Sequence, residues 1–252
     1  MNSDPANELI EEHSPEAISR RLIQAPSNQN ISDAVLGGID GCVTTFAVVS
    51  GAVGAGFPSI VAVVLGFANL IADGFSMGIS NYEAIKAQKE FADSIRQTEE
   101  EHIDKIPEGE REEIRQIFQM KGFTGETLDT IVETITSDRR LWIDTMMTEE
   151  HGIQTSGLSP WRSGTATLSA FLAVGTVPLL PFLFWNLEAS TKFALSSVLA
   201  GIMFFSIGML KSIVLSKPAV SSGIRTLLTG GAAATLAFFT GYVLREAFGI
   251  IG

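Results

Sequence analysis

The chain has 252 residues, with 28 acidic against 17 basic side chains, a formal net charge of −11 and one cysteine. Nucleic-acid phosphates need clustered Lys and Arg, so this balance disfavours a nucleic-acid partner, and one cysteine excludes both an intrachain disulfide and a zinc site built on several thiolates. Mean hydropathy is nevertheless positive, at +0.28, which indicates that apolar and charged residues occupy different parts of the chain.

Residues 1–30 are polar and acidic, which predicts a tail with no cleavable signal peptide. The next apolar stretch is interrupted by Gly54-Ala55-Gly56-Phe57-Pro58, where small residues and a proline predict a tight turn. About 20 apolar residues are enough for a helix to cross the hydrocarbon core. Residues 31–85 therefore predict two membrane-spanning helices, roughly Ile31 to Gly54 and Pro58 to Tyr82.

The segment from Lys86 to Arg162 is highly charged, with 17 acidic and 10 basic residues among its 77. Its apolar residues recur at helical spacing, which predicts a domain of three to four helices at residues 86–162. The second span is expected to continue beyond the membrane as far as Glu101 and lead into this domain. Thr124 is expected to cap one of the helices that follow.

Residues 163–252 contain three stretches without charge, Ser163 to Leu187, Phe193 to Leu210 and Thr226 to Leu244. Each has about the length of a membrane span. The sequence thus predicts an all-α membrane protein with five transmembrane helices and a helical insert between spans 2 and 3.

Lys and Arg are distributed unevenly between the predicted loops. The tail holds Arg20 and Arg21 and the loop between spans 4 and 5 holds Lys211 and Arg225, whereas the other side has few basic residues. Because Lys and Arg are retained on the cytoplasmic side, the acidic N-terminal tail and the insert are expected to be cytosolic.

Polar side chains recur at helical spacing inside the first two spans. Carboxylates near the middle of a membrane cost about 2.5 to 3.5 kcal/mol and are therefore functional candidates. Asp33, Asp40 and Thr44 share one face of the first span, and Asn69, Asp73 and Met77 share one face of the second. If the two faces oppose each other, they form a groove of polar ligands with one thioether, which suits a borderline divalent metal such as Fe(II). In the alternative interpretation, Asp40 and Asp73 lie near the membrane–water interfaces and Met77 is a packing residue. The candidate transport-pathway residues are Asp33, Asp40, Thr44, Asn69, Asp73 and Met77.

The insert carries a second group of candidate ligands at spacings of three or four residues on predicted helices. Such pairs share a helical face and would converge on cations if the helices pack together. The alternative is that the acids form a solvated surface and that the methionines are core residues. A ferroxidase is disfavoured because Glu-x-x-His occurs once and position 148 is Thr. The candidate metal ligands are Glu99, His102, Glu110, Glu113, Met146, Met147 and Glu150.

The chain resembles the vacuolar iron transporter family over about Ile31 to Leu244. The resemblance is carried by five motifs in a fixed order. They are Asp33-Ala34-Val35-Leu36-Gly37-Gly38-Ile39-Asp40-Gly41, Ala72-Asp73-Gly74-Phe75-Ser76-Met77-Gly78, Trp142 to Glu150, Pro178-Leu179-Leu180-Pro181 and Ile207-Gly208-Met209-Leu210-Lys211-Ser212.

The resemblance implies a homodimer of five-helix protomers that moves Fe(II), and sometimes Mn(II), out of the cytosol in exchange for protons. It implies that Asp40 and Met77 line the pathway and that Glu and Met residues of the insert collect metal. The metal is then the substrate, and no tightly bound cofactor is expected.

Two positions depart from the plant pattern of this family. Asn69 and His102 stand where that pattern has glutamates, so Asp73 is the candidate replacement for the first acid, and the insert gains a nitrogen donor that titrates near neutral pH. The Ala-Asp-Gly-Phe-Ser-Met motif resembles prokaryotic-type members, which favours a prokaryotic plasma membrane over a vacuolar membrane. The alternative functions are a membrane-anchored metal sensor or store, a passive divalent-cation channel and a metal-dependent intramembrane enzyme; no nucleophile with a base lies near Ser76 or Thr44.

Overall fold

The computed structural model describes residues 10–11, 13–23, 28–153, 159–184, 186–215 and 218–249. Within these ranges every regular element is helical, as predicted. The α-helices are α1 Pro15–Ile23, α2 Asn28–Gly54, α3 Ser59–Lys105, α4 Pro107–Met120, α5 Gly125–Ser137, α6 Arg139–Glu149, α7 Pro160–Thr176, α8 Ala189–Leu215 and α9 Ala219–Phe248, and a 3-10 helix covers Val177–Leu183.

The helices form two compact units. The transmembrane unit comprises Met1–Glu83 and Pro160–Gly252, and the insert comprises Ala84–Ser159. Helix α3 contributes residues to both units, because it continues without a break to Lys105. The predicted extension of the second span through Glu101 is therefore confirmed.

Five helical segments of the described chain are long and apolar enough to cross a membrane, which confirms the predicted number of spans. The first two are separated by a short turn in which Gly56 has a φ of 76°, a conformation that glycine adopts at little cost. The predicted turn between Gly54 and Pro58 is thus present. The segments are Gln29–Gly54, Ser59–Lys105, Pro160–Leu183, Ala189–Ser212 and Ala219–Phe248.

The third span is not α-helical over the whole predicted range from Ser163 to Leu187. Helix α7 ends at Thr176 and the chain continues as a 3-10 helix to Leu183. Pro178 and Pro181 explain the change, because proline has no N–H to donate and disfavours helical geometry in the residue before it. The carbonyl of Pro178 instead accepts a hydrogen bond from the buried Ser196 hydroxyl of α8 at 2.7 Å.

Helix α2 lies at the centre of the transmembrane unit and packs closely on α7. A Cβ added at Gly37 would lie 2.2 Å from the carbonyl oxygen of Thr167, and one at Gly41 would lie 2.5 Å from that of Phe171. Only glycine permits this approach without moving a helix. The same helix α7 also contacts α3, where Gly78 lies beside Leu168.

The insert has its own hydrophobic core, built from the predicted helical apolar residues. Ile103 of α3, Ile114 of α4, Val132 of α5 and Trp142 of α6 are all buried in one cluster. Each of the four helical segments contributes a residue to this cluster.

The caps of the insert helices differ partly from the expectation. Thr124 occupies the N-cap position of α5, but its side chain makes no capping hydrogen bond. The following Gly125 has a φ of 60°, so the first turn lacks the geometry that a side-chain cap requires. Asp138 caps α6 instead, accepting hydrogen bonds from the backbone N–H groups of Arg140 and Leu141 at 2.9 and 3.2 Å.

Candidate metal sites

The predicted pathway residues of α2 (Asp33, Asp40 and Thr44) lie at the same height along the helices as those of α3 (Asn69, Asp73 and Met77). A hydrogen bond from the Asn81 amide to Asp33 Oδ1, at 3.0 Å, fixes the register of the two helices, which the short turn makes antiparallel. Asp40 lies about 10 Å along α2 from Asp33, and Asp73 lies about 12 Å along α3 from Asn81, at 1.5 Å per residue. Asp40 and Asp73 therefore lie at the same level on the two neighbouring helices.

The same register places Thr44 near the level of Asn69, farther along the two helices. Asp40, Thr44, Asn69, Asp73 and Met77 are all partly exposed in the single chain. Thr44 donates a hydrogen bond to the backbone carbonyl of Asp40 at 2.9 Å. The amide nitrogen of Asn69 is buried and has no hydrogen-bond partner among the residues that the structure describes. Met77 packs against the hydrophobic cluster that contains Phe171 and Leu179.

Asp33 has a different environment from Asp40 and Asp73. Asp33 is only 4% exposed, and within the part of the chain that the structure describes its Oδ2 atom has no hydrogen-bond partner. Asn81 connects it to α7, because the same amide nitrogen lies 2.8 Å from Thr167 Oγ1 and 3.3 Å from the carbonyl of Ser163. The sequence predictions did not include Asn81 or Thr167. The available signal was the spacing of Asn81, which continues the four-residue steps of the face on α3.

The first candidate site in the insert combines α3 and α4. Ligand atoms of Glu99, His102 and Glu110 all lie within 4.8 Å of one another. The His102 ring nitrogen Nδ1 lies 3.3 Å from Glu110 Oε1. Both carboxylates are almost fully buried, whereas the histidine is about half exposed and can admit an ion from solvent.

The second candidate site in the insert uses Glu99 again, together with residues at the end of α6. Ligand atoms of Glu99, Glu150 and His151 also lie within 4.8 Å of one another. His151 Nε2 lies 2.9 Å from Glu99 Oε1 and 3.5 Å from Glu150 Oε2. Glu99 is therefore shared between two groups, each of which offers two carboxylates and one imidazole.

Two buried carboxylate oxygens in these groups, Glu99 Oε2 and Glu110 Oε2, have no hydrogen-bond partner in the described ranges. An unpaired buried oxygen is unfavourable, and a cation would remove that penalty. Burial, with the negative charges of Glu113 and Glu99, raises the pKa of Glu110 to about 7. Burial, with the charges of Glu150 and Glu99, also raises the pKa of Glu113, which places that residue in the same negative field.

Met146 and Met147 are fully buried in the hydrophobic core of the insert. This position agrees with the packing alternative, and their role as metal ligands stays a prediction. His151 was missed by the sequence predictions because it lies just after α6, where helical spacing no longer determines which side chains meet. The nearby Gly152, with a φ of 66°, turns the chain beyond it.

Carboxylate and imidazole ligands together suit Fe(II), Mn(II), Co(II) and Zn(II) better than Mg²⁺ or Ca²⁺, which prefer oxygen alone. Among the described residues, the geometry thus brings together five potential ligands in the insert: Glu99, His102, Glu110, Glu150 and His151. Glu113 belongs to neither group, and its role as a ligand stays a prediction.

Comparison with known proteins identifies the family of this chain. The model of the VIT family matches residues 31–242. The vacuolar iron transporter of Toxoplasma gondii is 30% identical over 232 residues, covering 88% of this chain and 77% of that protein. Vacuolar iron transporter 2 of Oryza sativa subsp. japonica is 30% identical over 236 residues, covering 91% of each, and the vacuolar iron transporter of Plasmodium berghei is 28% identical over 225 residues, covering 86% and 82%.

These relatives are transporters, which removes the enzyme alternative. The family match and the five candidate spans make the protein an integral membrane protein. Since the match covers most of its length, the chain belongs to the VIT family.

Proposed function

We propose that this protein is a divalent-metal transporter that exports Fe(II), and also Mn(II), from the cytosol in exchange for protons. The observation that carries the proposal is the level pair Asp40 and Asp73 between α2 and α3, within spans that are otherwise almost uncharged. Carboxylates are expensive in lipid, so a pair of them with partly exposed side chains is expected to face a path for ions. The names of the relatives supply the metal class.

The ligands along this path suit Fe(II). Carboxylate, amide and hydroxyl oxygens come from Asp40, Asp73, Asn69 and Thr44, and Met77 adds a polarisable thioether. A single soft ligand among oxygens favours a borderline metal over Mg²⁺ or Ca²⁺.

Proton exchange follows from competition for the same carboxylate oxygens. With no metal bound, the adjacent charges of Asp40 and Asp73 repel each other, and a proton on either removes the repulsion. A divalent ion neutralises both charges and displaces the proton. Metal movement in one direction would then be coupled to proton movement in the other.

The insert is proposed to collect the metal before transport. Its two groups share Glu99 and contain unpaired buried carboxylate oxygens, so they bind cations with little rearrangement. Cytosolic placement of the insert and the N-terminus is supported by the distribution of Lys and Arg between the short loops. A prokaryotic plasma membrane is supported only by the Ala72 to Met77 motif.

A homodimer would complete the path. The side chains of Asp40, Asp73 and Met77 are partly exposed in the single chain. Because lipid does not solvate carboxylates, a second copy covering this face would let both copies line one polar path. Protons, the metal and the bilayer are then the remaining partners, and the metal is cargo that no resident cofactor assists.

The test is metal flux into proteoliposomes that contain the full chain. Initial uptake of Fe(II), Mn(II), Co(II) and Zn(II) is measured with and without an imposed pH gradient, the vesicle interior being acidic. We expect Fe(II) uptake that the gradient accelerates and that Asp40→Asn abolishes. Asp93→Asn, a change of an exposed acid in the insert, is the matched control and should transport normally.

Other outcomes identify the alternatives. An uptake rate that is the same with and without the pH gradient would indicate a passive channel. Metal binding without flux would indicate a sensor or store. Wild-type uptake rates in Asp40→Asn would contradict the role given to this carboxylate.

A further inference from the structure

Three helices meet at a polar cluster at the end of the α2 and α3 faces. The Asn81 side-chain nitrogen lies 3.0 Å from Asp33 Oδ1 and 2.8 Å from Thr167 Oγ1, which joins α3 to α2 and α7. The Thr167 hydroxyl in turn lies 3.0 Å from the carbonyl of Ser163 and 3.4 Å from the carbonyl of Asp33. We call Asp33, Asn81 and Thr167 the three-helix clasp.

The clasp uses only one of the two Asp33 carboxylate oxygens. Oδ1 accepts from Asn81 and, at 3.4 Å, from Gln29, whereas Oδ2 is buried and has no hydrogen-bond partner among the described residues. A carboxylate that is 4% exposed normally pairs both oxygens or sits beside a cationic side chain. The free oxygen therefore requires an explanation.

The chemistry of the donors suggests one. The Asn81 amide orients the Asp33 carboxylate by donating to Oδ1, and the Thr167 hydroxyl accepts from the same amide nitrogen. Neither group neutralises the carboxylate, whereas Lys or Arg would cancel the charge that attracts a metal ion. The clasp thus fixes the direction of the carboxylate without supplying a positive charge. Such a group is suited to bind a cation through its second oxygen.

The clasp also lies in line with the proposed path. Asn81 is one helical turn beyond Met77 on α3, and Asp33 is two turns from Asp40 on the same face of α2. Asp33 is thus about 10 Å along α2 from the level of the Asp40 and Asp73 pair. A metal ion moving between these levels would pass from one carboxylate to the next.

We propose that Asn81 and Thr167 are positioning residues of the transport pathway, which hold Asp33 so that its free oxygen Oδ2 binds the metal ion. This inference rests on the proposed transport function and adds two residues to it. Neither residue touches the ion; each acts through the orientation of Asp33.

The experiment is the concentration dependence of Fe(II) uptake by the reconstituted full chain. We expect Asn81→Ala and Thr167→Val to raise KM on the order of tenfold and to change kcat less than KM. Asn81→Ala removes the amide that donates to Asp33 Oδ1, and Thr167→Val removes the hydroxyl that accepts from this amide and holds it in place. Thr167→Ser keeps the hydroxyl and should behave like the wild type. Thr165→Val is the matched control, because Thr165 is exposed on α7 and its hydroxyl donates to the carbonyls of Trp161 and Arg162 in its own helix.

The outcomes separate this inference from the function it rests on. A wild-type protein that moves no metal would overturn both. Normal wild-type transport with unchanged KM in both clasp variants would overturn the inference alone. Equal losses in Thr167→Ser and Thr167→Val, with lowered thermal stability in both, would assign the clasp a purely structural role and would also overturn it.

Discussion

The buried carboxylate of Glu110 should make the metal-free insert less stable as pH rises. Its side chain is 2% exposed, one of its oxygens has no partner among the described residues, and burial raises its pKa from 4.5 to about 7. The folded insert therefore holds a proton that the unfolded chain releases between these two pKa values. Stability is highest below pH 4.5 and falls until the pH exceeds about 7, which is the sign expected for a carboxyl whose folded-state pKa is raised.

The magnitude follows from the two pKa values of Glu110. At 1.36 kcal/mol per pKa unit, the full effect is about 3 kcal/mol, of which about 2.5 kcal/mol develops between pH 5 and pH 8. Glu110→Gln removes the charge and retains the shape. We expect this variant to be more stable than the wild type by about 3 kcal/mol at pH 8, and by about 1 kcal/mol at pH 5, when a chelator is present.

The assay is hydrogen exchange of the insert peptides in the full chain, held in detergent with a chelator, at pH 5 and pH 8. Glu108→Gln is the matched control, because Glu108 lies on the same helix with a side chain that is 88% exposed. Addition of Mn(II) should make the wild type more protected from exchange than Glu110→Gln, since the wild type binds the ion and the variant has lost a ligand. If Glu110→Gln is no more protected than the wild type at pH 8 without metal, the reasoning about this buried charge is wrong.

Three further predictions concern the metal groups and the helix packing. Calorimetry should detect two metal ions bound to the wild-type insert and one bound to the insert of His151→Ala, because His151 belongs to one of the two groups. Two bound ions in the variant would contradict the assignment of His151 as a ligand. Glu99→Gln should weaken both sites, because both groups share Glu99, and selective loss of one site would refute the sharing. Gly37→Ala should lower the stability by about 1 to 3 kcal/mol, because its Cβ would lie 2.2 Å from a carbonyl oxygen of α7. Gly231→Ala is the control: its Cβ would have nothing within 4 Å, so the stability should stay unchanged or rise. Equal melting temperatures for the two variants would contradict the close contact at Gly37.

The spans were predictable from the sequence because each is a long run of residues without charge. The helical extension of α3 was also predictable, because no residue between Tyr82 and Lys105 breaks a helix. The end of α7 at Thr176 was missed, although Pro178 and Pro181 contain the signal, because the prediction weighed only the apolar length of the segment.

The candidate sites were predictable only in part, because helical spacing describes single helices. It grouped Asp33 with Asp40, and Asp73 with Met77, but it contained no information on which third helix packs against them. Thr167 was therefore missed, since its relation to Asn81 depends on the tertiary packing of α7. His151 was missed for the related reason that it lies beyond the end of a helix.

The proposed coupling between metal and protons is tested most directly by following both ions in the same proteoliposomes. Fe(II) uptake and internal pH are recorded together after the metal is added to vesicles with an acidic interior. The account predicts that the interior becomes more alkaline in proportion to the metal taken up, and that Asp40→Asn loses both signals. Fe(II) uptake with no change in internal pH would contradict exchange and would leave a passive pathway as the function of the Asp40 and Asp73 pair.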